Sequence, residues 1–194
     1  SAKAECPKDA ILLFRMGDFY EMFFEDAVIA ARVLDITLTA REKTEDPIPM
    51  AGVPHHAITN YIARLVQHGY SVAICDQVED PKKAKGLVKR AVTRIITPGT
   101  VSDLEALDPG SANYLACVKL TGTDNCVIAF LDLLAGEVLW TACSRHSISD
   151  ELRRMGAREV LLEPQDEESL GFQLKSRNIA IRVVEEDPST NAQE

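Results

Sequence analysis

RMGDFYEMFF, residues 15–24, is the stretch on which the fold of the first half of this chain turns. The short apolar run ahead of it, Ile11 to Phe14, is strand-like and stops at Gly17-Asp18. A helical pattern follows at once. Tyr20, Phe23, Phe24, Ala27, Ala30, Ala31 and Leu34 fall at the spacing of a helix packed on one side. Asp18 is a natural N-cap residue, and Glu21 stands three positions later, as in a capping box. The spacing therefore predicts strand, cap and amphipathic helix. Phe19 lies outside the stripe, as either a staple at the helix tip or a projecting probe. On an ideal helix, residues two apart point about 200° from each other. For Phe19 and Glu21 to meet one ligand, Phe19 has to sit at a non-helical lip, with regular helix starting around Tyr20 or Glu21.

The 194 residues exceed one typical domain and predict two modules, or one module plus a large part of another. A hydrophobic content of 46% supports real cores. No apolar run is long enough to span a bilayer and no signal-peptide pattern opens the chain, so the expectation is a soluble, cytoplasmic protein with no membrane partner. Cys6, Cys75, Cys117, Cys126 and Cys143 are odd in number, scattered and without a CxxC pair, which predicts reduced core residues. The net charge of −9 hides an asymmetry. Residues 1–100 carry 13 Lys+Arg against 13 Asp+Glu, whereas residues 101–194 carry 8 against 17. Within the balanced half, Lys82, Lys83, Lys85, Lys89, Arg90 and Arg94 crowd together with no intervening acid. Such a run is either a solvated face or a phosphate-contacting edge.

Further along, ITLT (36–39) predicts a second strand ending near Arg41, and IPMAGVP (48–54) an extended segment, its prolines excluding a long helix. A helix follows from about His56 to His68, closed by Gly69. Strands are expected over 71–78 and 87–97, a turn at TPGT (97–100), and a linker over 101–110 between domains at 1–100 and 111–194. Beyond the linker, strands at 114–120, 126–133 and 137–143 are joined by the short turns GTDN and LAGE, an antiparallel meander. A helix (147–155, capped by Ser147 or Ser149), a strand (159–162), a helix (about 167–176) and a strand (179–184) complete a βββαβαβ order, with a frayed tail after it. That order resembles the ribonuclease H-like arrangement. The class is α/β: a mixed-sheet domain followed by a truncated ribonuclease H-like one.

Several chemistries are missing. There is no GxxxxGK[ST] loop to cradle phosphates, so ATP turnover is not expected of this chain. No HExxH occurs, and His55, His56, His68 and His146 form no ligand set at metal spacing. A two-metal nuclease needs converging carboxylates. The strand NYLACVKL contains no acid and Asp132 stands alone in the next, which reads as a scaffold without catalysis.

RMGDFYEMF, LDITLT, PIPMAGVPHHA, SVAICDQVEDP and RIITPGTVSD, in this order and spacing, resemble the amino-terminal mismatch-recognition domain of the bacterial MutS family, almost continuously from about Asp9 to Asp103. The second half resembles the start of that family's connector domain. The resemblance implies that a Phe-x-Glu motif reads mispaired bases, here Phe19 and Glu21. It also implies that Arg41 and the turn containing Met50, Pro54 and His55 lie where the family's domain approaches DNA; Lys82, Lys83, Lys85 and Lys89 are candidates on charge alone. The implied partners are mismatched double-stranded DNA and, for a full-length parent, MutL and a second MutS subunit. ATP and Mg would be bound by a parent ATPase region outside this chain. By the same resemblance, the chain starts just before the family's first strand and stops inside the connector.

The physics of such a motif is simple. An apolar wedge must unstack the duplex, and a mispaired site is easier to unstack and bend than a matched one. Ring stacking on a base returns about 1–3 kcal/mol whatever the base. A carboxylate beside a polyanion helps only through a directional hydrogen bond, and penalises matched DNA. Two other readings stand beside this one: a nuclease-like enzyme built on the second domain, and a protein-interaction scaffold with an acidic second half.

Overall fold

A computed structural model describes residues 2–7, 9–41, 46–79, 89–101, 113–175 and 179–184. Lys82, Lys83, Lys85, the expected linker beyond Val101 and the tail from residue 185 lie outside the described residues. Two compact units are present, one running to Thr97 and one starting at Pro98.

The first unit contains β1 (Ile11–Met16), β2 (Phe19–Phe23), α1 (Phe24–Leu34), β3 (Thr39–Ala40), β4 (Pro49–Pro54), a 3-10 turn (His55–Ala57), α2 (Ile58–Gln67), β5 (Val72–Gln77) and β6 (Arg90–Ile96). Its described strands form one sheet in the order β3-β4-β2-β1-β5-β6, antiparallel except for the β1–β5 pair. The helices α1 and α2 pack on each other and on this sheet. Ala27, Ala30, Ala31 and Leu34 of α1 and Ala63, Leu65 and Val66 of α2 are buried. The small residues of α1 allow its close approach to β2 and β4.

Residues 19–23 are strand, not the first turn of a helix. Gly17 takes φ +60 while Asp18 does not enter the left-handed region, the pattern of a two-residue type II′ hairpin loop with glycine first. β2 is then paired on both sides, to β1 and to β4, so its backbone groups are satisfied along both edges. That long-range pairing outweighs the local helical pattern. The helix begins at Phe24, where φ of 54 breaks the strand. Its N-cap is Phe23, with no side-chain capping bond, so neither Asp18 nor Glu21 caps it. Tyr20 is buried as a strand residue and Phe24 is 63% exposed, so the predicted stripe holds only from Ala27 onward.

Three other boundaries move. The ITLT strand shrinks to Thr39–Ala40, because α1 ends in a left-handed Asp35 and Ile36 N–H still bonds to Ala31 O at 3.1 Å. The second helix starts at Ile58, after the 3-10 turn, and Gly69 at φ +85 ends it. In β6 a bulge falls at Thr93, since Val92 pairs with Cys75 and Arg94 with Ile74, which breaks the parity read from the sequence.

The second unit comprises β7 (Tyr114–Leu120), β8 (Asn125–Asp132), β9 (Glu137–Ser144), α3 (Ile148–Met155), β10 (Ala157–Leu162), α4 (Pro164–Lys175) and β11 (Ala180–Val183), the predicted βββαβαβ order. The sheet runs β11-β10-β7-β8-β9, an antiparallel meander extended by parallel β10 and β11. Numbered within the unit, that is 5-4-1-2-3, the ribonuclease H-like order. Ile148, Leu152, Leu170 and Leu174 from its helices share a core with Ala116, Val118, Ile128, Phe130, Val160 and Leu162. Ser147 holds the N-cap position of α3 without a capping bond; its Oγ lies 2.8 Å from Ser144 Oγ instead. No cysteine is in a disulfide. Cys75 and Cys126 are core residues, Cys6 and Cys143 are half-buried, and Cys117 is exposed, against expectation.

Candidate functional site

Side chains alternate along a strand, so residues two apart share a face. The hairpin therefore does what a helix could not: it points Phe19, Glu21 and Phe23 the same way while Tyr20 and Met22 are buried on the opposite face. Phe19 is 48% exposed and Glu21 half-buried. No non-helical lip is required for the pair to reach one ligand.

Strand pairing completes the surface. Phe19 is flanked by Met16 and Pro54, Glu21 by Phe14 and Gly52, and Phe23 by Met50. The Arg41 guanidinium lies 5.4 Å from the centre of the Phe23 ring, a cation–π contact at the border of the same face. Phe19, Glu21, Met50 and Pro54 thus share one face, with Pro54 beside Phe19 at one end and Met50 and Arg41 beside Phe23 at the other. His55 is placed differently: its N–H bonds to Asp18 O at 2.9 Å, and its ring stacks on Tyr20 at 5.7 Å between centres. Lys89 precedes the edge strand β6, three strands from β2, and its N–H donates to Glu79 Oε2 at 3.1 Å. It does not join the cluster.

Behind Phe19 the tip is tied down. The Tyr20 hydroxyl donates to Asp76 Oδ1 on β5 at 2.7 Å, and Thr93 Oγ1 on β6 donates to Asp76 Oδ2 at 2.8 Å. The Arg15 guanidinium sits 5.5 Å from the Tyr20 ring centre. Burial, reinforced by the Asp76 carboxylate, pushes the Tyr20 phenol above its ordinary value, against the pull of Arg15, so the hydroxyl stays a donor. Sequence reasoning missed this anchor and missed Gly52. The hairpin itself carried a readable signal: Gly-Asp between two apolar runs, followed by alternation of exposed and apolar residues in FYEM.

Among the described residues no His, Cys, Asp and Glu cluster could hold a metal ion, and no helix is long and apolar enough to cross a membrane. Fold and face together define an α/β binding module that offers an aromatic ring and a carboxylate side by side on an open sheet surface. The family model for MutS domain I matches residues 2–105. The proteins named DNA mismatch repair protein MutS from Desulfatibacillum aliphaticivorans and Fusobacterium nucleatum are each 52% identical to the chain, over 171 and 163 residues. These matches cover 87% and 80% of the chain but 19% and 18% of the relatives. The protein of the same name from Geobacillus kaustophilus is 44% identical over 96% of the chain and 21% of its own length. The chain belongs to the MutS family, and spans about a fifth of the length of the curated relatives it matches.

Proposed function

We propose that this chain is the mismatch-binding part of a DNA mismatch repair protein. Phe19 enters the minor groove and stacks on the mispaired base, while Glu21 hydrogen-bonds to that base. Arg41, Met50 and Pro54 border the contact, and His55 flanks it. The observation that carries this reading is the shared outward face of Phe19 and Glu21, neighbours at i and i+2 on one strand. Stacking supplies about 1–3 kcal/mol without regard to base identity, so discrimination comes from the DNA. A mismatch unstacks and bends at lower cost than a matched pair.

Residues 1–100 form the binding domain in this proposal, 101–110 a linker and 111–194 the start of the connector. The module is non-catalytic. ATP and Mg act in the whole protein, outside this chain, together with a second MutS subunit and MutL, in the bacterial cytoplasm. The test is Phe19→Ala and Glu21→Ala in the whole parent protein, with affinity compared on a heteroduplex carrying one mismatch and on the matched homoduplex. Phe19→Ala is expected to abolish the preference; undiminished preference in that variant rejects the proposal.

A further inference from the structure

Gly52 sits in the interior of β4, directly opposite Glu21. Glycine weakens a strand interior, having no side chain to pack and more backbone freedom to lose. Two structural reasons can require it, and neither holds here. Gly52 is not among the residues with positive φ, so its backbone conformation is open to any residue. Nor does the packing forbid a side chain: a Cβ at position 52 would meet nothing closer than the Tyr20 carbonyl oxygen at 3.7 Å. Gly99 in the second unit provides the contrast. A Cβ there would fall 2.8 Å from Glu159 Cβ and 3.0 Å from Leu115 Cδ1, so the fold demands glycine at that position.

The other neighbours of a Cβ at position 52 identify what it would obstruct. They are Glu21 Cγ at 3.9 Å and Phe19 Cδ1 at 4.0 Å, the two members of the candidate pair. The site is exposed. A side chain there would stand against both the ring and the carboxylate and take up the space over β4 beside them. We infer that Gly52 is a specificity-determining residue for DNA: its bare backbone is the floor on which the base that stacks on Phe19 and bonds to Glu21 comes to rest. This inference builds on the reading of Phe19 and Glu21 above. A single added carbon stands about 1.5 Å proud of the backbone. That is enough to hold a flat base away from full stacking contact, since a gap of about 0.5–1 Å already forfeits roughly a quarter to a half of the attraction.

The inference predicts opposite signs for folding and binding, which separates it from ordinary damage to the fold. Gly52→Ala and Gly52→Val, made in the whole parent protein beside Phe19→Ala, are to be measured for melting temperature and for affinity on a single-mismatch heteroduplex. Both glycine variants are expected to melt at or above the wild-type temperature. Heteroduplex affinity should fall by roughly threefold for Ala and by about tenfold or more for Val. Affinity within about twofold of wild type for both variants, while Phe19→Ala has lost its preference, overturns the role of Gly52 and leaves the pair intact. A fall in affinity accompanied by a lower melting temperature also overturns it, by assigning Gly52 to the fold. Retained preference in Phe19→Ala rejects the underlying reading itself.

Discussion

The hydroxyl of Tyr20 donates to Asp76 Oδ1 at 2.7 Å, joining the strand that carries Phe19 to the strand two places away in the sheet. Asp76 accepts from Thr93 through its other oxygen, so one carboxylate links β2 to β6. Hydrogen bonds to a charged group contribute about 1.5–3 kcal/mol. Tyr20→Phe keeps the ring that stacks on His55 and faces Arg15, and removes only the donor. It is expected to lower the unfolding free energy by about 1.5 kcal/mol in urea titration. Asp76→Ala should cost more, since Thr93 also loses the nearer of its two acceptors and keeps only the Ile74 carbonyl at 3.4 Å. The Tyr20→Phe/Asp76→Ala double variant should fall short of the sum, because the two residues share one interaction. Strict additivity rejects the link.

Gly17 begins the turn that leads from β1 into the strand at residues 19–23. At φ +60 it opens the two-residue loop, a conformation that costs an L-residue with a Cβ roughly 1–2 kcal/mol. Nothing lies within 4 Å of its missing Cβ, so the cost of Gly17→Ala is conformational rather than steric. The variant is expected to lose about 1 kcal/mol by denaturant titration. It should also weaken mismatch preference in the parent protein, since Met16↔Phe19 is the first pair after the loop. A variant as stable as wild type would show that the hairpin does not depend on this glycine.

The extent to which the sequence spoke for the structure follows from these two residues. The strands β7, β8 and β9 were legible because their partners are close in the chain, joined by turns of a few residues. The helices α3 and α4 and the buried β5 were legible from their local patterns alone. Residues 19–23 were misread because their decisive partner is β4, about thirty residues away in sequence, while the helical stripe Ala27–Leu34 extends by coincidence through Tyr20 and Phe23. Phe19 and Glu21 stood out as odd residues in a helical frame, and only the strand explains why they share one face. Gly52 could not be found by periodicity at all. Its meaning lies in what its absent side chain leaves open, and that requires the register with Glu21.

Of the two non-glycine residues with positive φ in the described first unit, Phe24 and Asp35, Phe24 is the one for which that region is unusual. Its φ of 54 places a bulky side chain in the left-handed region, where phenylalanine is rare, and 63% of it is exposed. Little burial offsets the strain. Phe24→Gly removes the conformational penalty of about 1–2 kcal/mol and is expected to raise the denaturation midpoint, with Phe24→Asn intermediate. A fall in midpoint for both variants would assign the Phe24 ring a packing contribution larger than the strain.

Cys143 couples the stability of the second unit to alkaline pH. Burial, followed by the Cys126 thiol with its Sγ 3.3 Å away and by Glu151, pushes the Cys143 thiol up from about 9 to about 12. In the unfolded chain the thiol ionises near its ordinary value. Between the two values the folded protein keeps a proton that the unfolded chain has lost, so ionisation favours unfolding. The corresponding stability is complete below pH 9 and drains away as pH rises toward 12. Stability measured by urea titration at pH 7, 9 and 10.5 should therefore fall over the alkaline interval, and less steeply in Cys143→Ala. Because Cys143 lies directly opposite Cys126 on the edge strand β9, the hydrogen-exchange protection of β9 amides should weaken first. Parallel pH profiles in wild type and Cys143→Ala would remove the thiol as the cause and leave the raised phenol of Tyr114, whose shift has the same sign, as the group to test next.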